Sequence, residues 1–122
     1  MKVTIEEDIP KIAHFLHDAI VDIDSFVVDT KRGTLAFAGQ LLRKGSRPIV
    51  LRRGGAYYRP FSATIQGVEE FRCEDQANIG LFNIVKFSYQ PLSSSLCIEG
   101  GVPVQCHIRV SRIDIEVVTS DT

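Results

Sequence analysis

At 122 residues, with 44% hydrophobic and 24% charged side chains, the chain has the size of one domain able to bury a core without disulfides or metal, and its composition excludes a disordered or collagen-like chain. A net charge of −1 and a pI near 6.3 lack the basic excess of most nucleic-acid binders. No run approaches the ~18 apolar residues of a membrane helix, and Glu6, Glu7 and Asp8 stand where a secretory signal needs apolar residues; the expected location is cytoplasmic.

In chain order, "IPKIAHFLHDA" sets Ile9, Ile12, Ala13 and Leu16 at helical spacing, with Pro10 acceptable in a first turn, which fits a short N-terminal helix. From Ala19 onward the period is two, the mark of strands with one buried face. Val21 and Ile23 in "AIVDIDSFVVD" and Leu35 and Phe37 in "TLAFAGQLL" flank the polar turn "DTKRG" and predict a hairpin. "RKGSRP" reads as a turn, "PIVLRR" as a short strand and "GG" as a turn. "AYYRPFSATIQGV" reads as the return strand, bent or made an edge by Pro60. "EEFRCEDQAN" breaks the alternation and predicts an irregular link or single helical turn. "IGLFNIVKFSYQP" puts Ile79, Leu81, Val85, Phe87 and Tyr89 on one parity and Phe82 and Ile84 on the other, as in a central strand covered on both sides.

"SSSLCIEGGVP" follows as a short strand and turn. In the last run, Val104, Cys106, Ile108 and Val110 share one parity and Ile113, Ile115 and Val117 the other, so a β-bulge is expected near Ser111 and Arg112. The expected fold is a mostly β single domain over residues 1–122, with about seven antiparallel strands in a sandwich or strongly curled sheet.

Candidate chemistry is sparse. His14, His17 and Asp18, with the distant His107, are of metal-ligand type, but no second pair at ligand spacing supports them. The plainer reading is that His17 and Asp18 form a structural polar element, bonding backbone groups where the chain joins the sheet. Cys106 and His107 are neighbours on a strand and so point to opposite faces, which rules out a thiol–imidazole dyad between them. Cys73, Cys97 and Cys106 lack CxxC spacing and read as reduced thiols. No catalytic residue, metal or cofactor is expected.

Charge is segregated along the chain. Residues 1–30 carry seven acids against two bases, residues 31–59 eight bases and no acid, and residues 60–122 eight acids against four bases. Within the basic block, "RRGGAYYRPF" interleaves Arg52, Arg53 and Arg59 with Tyr57 and Tyr58, residue types that hold phosphates and stack on bases; they are the candidates for a partner-binding or anion-binding surface. The same residues could instead pair with each other across a hairpin.

Three motifs carry a resemblance in layout: the "HD" element of "FLHDAIV", the strand "TLAFAGQLL", and "ATIQGVEEFRCED" leading to "NIGLFNIV". Over residues 14–117 the chain resembles small bacterial β-rich proteins that include immunity proteins of polymorphic toxin systems. That resemblance implies a non-enzymatic module that binds and blocks a toxin-like protein partner, with exposed charge steering association. The alternative is nucleic-acid or anionic-ligand binding through residues 52–59.

Overall fold

The helical spacing is realised in α1 (Ile9–Phe15), with Pro10 in its first turn and Ile9, Ile12 and the capping Leu16 buried. The computed structural model describes residues 1–42, 58–75, 78, 80–101 and 103–119. The expected strand PIVLRR, its flanking turns, and the candidates Arg52, Arg53 and Tyr57 lie outside the described residues.

The fold is mostly β. Ten strands are described: β1 (Lys2–Val3), β2 (Ile20–Asp22), β3 (Val27–Asp29), β4 (Thr34–Leu42), β5 (Tyr58–Gln66), β6 (Val68–Asp75), β7 (Leu81–Gln90), β8 (Ser95–Gly100), β9 (Val104–Val110) and β10 (Ile115–Thr119). All pairings are antiparallel, in the order β1-β10-β5-β4-β2-β7-β8-β9-β6, with β3 also paired to β4, and the sheet does not close. Among the described helices none is long and apolar enough to cross a membrane.

The sheet curls because two stretches of chain pass directly from one half to the other. β5 runs into β6 through Gly67, whose φ of 73° suits a residue without a Cβ. β9 runs into β10 through residues 111–114. The two crossings are bonded side by side: the Ser111 N–H donates to the Gly67 carbonyl at 2.8 Å and the Gln66 N–H to the Asp114 carbonyl at 2.9 Å. One core therefore collects Leu35, Phe37 and Ile65 from one half and Ile84, Leu96, Ile98 and Ile108 from the other. Phe26 stacks between Phe37 and Phe71, with ring centroids 4.9 and 5.2 Å away, and joins the halves.

Five expectations change. The strand count rises above seven because β1 pairs with β10, because a 3₁₀ turn at Ile23–Ser25 splits β2 from β3, because the last run divides into β9 and β10, and because β6 exists. At the 3₁₀ turn the Ser25 hydroxyl replaces a ladder partner, accepting from the Ala38 N–H at 3.1 Å and donating to the Asp22 carbonyl at 2.6 Å.

The second change is β6 itself, where a link or helical turn was expected. Phe71 and Cys73 face the core at period two, and Glu70, Arg72 and Glu74 face water. Charged residues are how a terminal strand resists pairing with other chains, and that polarity hid its alternation.

Third, the parity flip near Ser111 is a corner between two strands rather than a bulge. Val104, Cys106, Ile108 and Val110 are buried on one side of it and Ile115 and Val117 on the other, with Ile113 half-buried. The bulges fall at Glu69, across the ladder from Val110, and at Val85. Fourth, the Val85 bulge explains β7: Phe82 and Ile84 are buried before it and Phe87 after it, while Leu81 and Val85 are exposed, so the strand is covered on one side and shifts its phase. Fifth, Pro60 makes no edge of β5, which pairs with β4 on one side and β10 on the other; it sits opposite Gln40, one residue before the Phe61–Thr119 pair.

Candidate functional site

"HFLHDA" is the passage from α1 into β2. His14 and His17 are exposed, and Asp18 adopts a left-handed φ of 66°, which Asp tolerates better than most residues. The Asp18 N–H donates to the Ile84 carbonyl at 2.8 Å, and the Ile84 N–H returns a bond to the Ala19 carbonyl at 2.9 Å, stapling the helix end to β7. The side chains do something else than expected. Asp18 Oδ2 lies 3.3 Å from His17 Nδ1, and Asn83 Nδ2 donates to Asp18 Oδ1 at 3.4 Å. The stitching of backbone groups thus falls to the Asp18 main chain, since the carboxylate is turned toward His17 and Asn83.

This division of labour is testable by thermal denaturation. Asp18→Gly keeps the left-handed turn and should change stability by no more than about 0.5 kcal/mol, because exposed ion pairs contribute little. Asp18→Val keeps no side-chain partner and resists positive φ, and should cost about 1–3 kcal/mol. Equal losses for both variants would assign the role to the carboxylate instead.

Among the described residues, no three His, Cys, Asp or Glu side chains form a group that could hold a metal ion. His107 is on β9, beside an open groove of about 590 Å³ lined by Glu70, Arg72, Gln90, Ser95, Cys97 and Arg109, among others. Its neighbour Cys106 is fully buried on the other face of the strand.

The groove follows from register. Across β6, β9, β8 and β7 the outward residues form three rows: Glu70–Arg109–Ser95–Gln90, then Arg72–His107–Cys97–Ser88, then Glu74–Gln105–Glu99–Lys86. Cations and carboxylates alternate over this face, three of each. Arg109 Nη1 lies 3.4 Å from Glu70 Oε2 and Arg72 Nε 3.9 Å from Glu74 Oε1, with more than half of each of these side chains exposed. Such pairs add at most about 1 kcal/mol each to stability, so they contribute little to holding the fold. The Cys97 thiol, held above its ordinary pKa by burial and then by Glu99, stays protonated and is a poor nucleophile.

Of the sequence-predicted surface, Tyr58 and Arg59 open β5 opposite Leu42 and Leu41, and Arg59 is half-buried. They stand at the end of the β4–β5 hairpin whose connection carries Arg52, Arg53 and Tyr57. Of the groove residues, the sequence marks only His107, as of metal-ligand type, and Cys97, as a reduced thiol, and neither as part of a surface. Their signal was the polar parity of "VEEFRCED" and "VQCHIRV", which becomes a surface only when β6, β9, β8 and β7 are known to be neighbours. Comparison of the chain with family models, with curated proteins and with solved structures finds no match.

Proposed function

We propose that this chain is a non-enzymatic protein-binding module of the immunity type, which holds a partner protein against the outward face of β6, β9, β8 and β7. The observation that carries the reading is the alternation of Glu70, Arg72, Glu74, Lys86, Glu99 and Arg109 in cross-strand rows. A phosphate backbone laid on this face would meet as many carboxylates as cations. A protein surface of mixed charge can match it, with complementary charge setting orientation and association rate. Glu70, Arg72, His107 and Arg109, which line the groove, are the principal contacts in this reading.

The experiment is co-expression with the product of the gene immediately upstream, on the expectation that it encodes the toxin. A stable one-to-one complex should form and the toxin should lose activity. Arg72→Glu with Arg109→Glu should slow association by about tenfold or more at low salt. Failure to bind that product, or binding indifferent to the reversal, would sink the proposal for this face.

A second reading keeps the basic block as an anion site. It is favoured by the placement of Tyr58 and Arg59 at the end of the β4–β5 hairpin, where the connection carries Arg52 and Arg53. It expects binding of a single-stranded oligonucleotide that weakens steeply with salt and drops on Arg52→Ala with Arg53→Ala.

A further inference from the structure

Cys73 and Cys106 face each other directly across the β6–β9 ladder, both on the inward side of the sheet. We propose that this pair is a disulfide-forming site: exposed to a small-molecule disulfide such as oxidised glutathione, the native protein closes a Cys73–Cys106 bond that ties the terminal strand β6 to β9.

Geometry supports closure. Directly opposed residues of an antiparallel pair have Cα atoms about 4.5–5.5 Å apart, inside the roughly 4.4–6.8 Å range of disulfides. Their side chains are on the same face of the sheet, both within or against the one hydrophobic core. Cys97 is excluded by the same register, because it pairs with His107 and points to the opposite face from Cys106, whose partner on β8 is Ile98.

Access is asymmetric. Cys106 is fully buried, whereas Cys73 is partly exposed on a strand that, among the described residues, pairs only with β9. Cys73 is therefore the attacking thiol. Burial holds both thiols above their ordinary pKa, and Cys106 is the more deeply buried of the two, which favours the same order.

The chemistry balances in two exchanges. The Cys73 thiolate attacks one sulfur of the reagent, breaking its S–S bond, forming a mixed disulfide and releasing one glutathione thiolate. Cys106 then loses its proton to that thiolate and attacks the Cys73 sulfur. The Cys73–Cys106 bond forms as the second glutathione leaves as a thiolate and takes up the proton lost by Cys73. The cysteines are oxidised by two electrons and the reagent is reduced to two thiols. Below the Cys73 pKa the rate should rise on the order of tenfold per pH unit, since only the thiolate attacks.

The test uses the unaltered protein under native conditions, treated with oxidised glutathione, alkylated and mapped by peptide mass spectrometry. The expected product links Cys73 to Cys106, leaves Cys97 alkylated and raises Tm on the order of 10 °C, reversibly with dithiothreitol, because the bond closes a loop of about 34 residues. Cys106→Ala should stop at a glutathione adduct on Cys73. Linkage through Cys97, a lasting adduct on Cys73 in the unaltered chain, or full alkylation of all three cysteines after the same exposure would overturn the proposal.

Discussion

Gly39→Ala is expected to be the most damaging single-methyl change in this protein, lowering stability by about 3 kcal/mol or more. Gly39 lies in β4 opposite Val21 of β2 and Phe61 of β5. A Cβ placed there would overlap the carbonyl oxygen of Ile20 and come within 3.0 Å of the Phe61 ring. The ring can turn aside; the carbonyl belongs to a strand held on both edges. β2 pairs with β4 through only Ile20 and Val21, and with β7 through Ile20, Val21 and Asp22, so it is the strand that joins the two halves of the sheet. Relieving the clash means lifting β2 from β4 at the joint. Against the roughly 5–15 kcal/mol that stabilises an ordinary domain, the loss should appear as a fall in Tm on the order of 10 °C and a clear shift of the urea midpoint. A midpoint moved by less than about 1 kcal/mol would show that β2 yields easily and is not the joint described.

Deletion of Ser111 is expected to be worse, leaving most of the protein insoluble. Val110 and Ile115 are both buried, and residues 111–114 carry the chain between their strands while Ser111 bonds the Gly67 carbonyl. Removing one residue either pulls the corner off Gly67 or shifts β10 by one position against β5. Because side chains alternate at period two, that shift turns Ile115 and Val117 toward water and brings Glu116 inward. Exposing two core aliphatics costs about 3–6 kcal/mol on transfer scales, before the buried carboxylate is counted. The measurement is the soluble fraction on expression, followed by denaturant unfolding of whatever remains soluble. A soluble variant of unchanged stability would mean that residues 112–114 absorb the deletion and that register is not set at this corner.

Both results turn on what alternation does and does not encode. Periodicity says which residues of a run face inward, and there it served well: Ile9, Ile12 and Leu16 at helical spacing, Leu35 and Phe37 alternating on β4, and the two buried sets on either side of Ser111 were legible because each follows from the geometry of its own element. It failed where a strand is polar for a reason outside itself. β6 looks like a link because, as the last strand of the sheet, it carries Glu70, Arg72 and Glu74, and only Phe71 and Cys73 betray its inward face.

The candidate sites divide in the same way. "HFLHDA" could be read as structural, since a short polar segment between a helical and a stranded pattern has to turn the chain. Which atoms carry the staple could not be read, because Ile84 and Asn83 come from β7, more than sixty residues away. By itself the sequence determined a mostly β chain, the inward faces of its regular strands other than β6 and β7, and its short helix, all properties of neighbouring residues and their backbone period. The tertiary structure alone decided that β2 joins two halves, that β5 continues into β6 at Gly67, and that β6, β9, β8 and β7 bring Glu70, Arg72, His107 and Arg109 together. A strand's sequence sets which of its side chains face inward, while its hydrogen-bond partners are chosen by the global closure of the sheet.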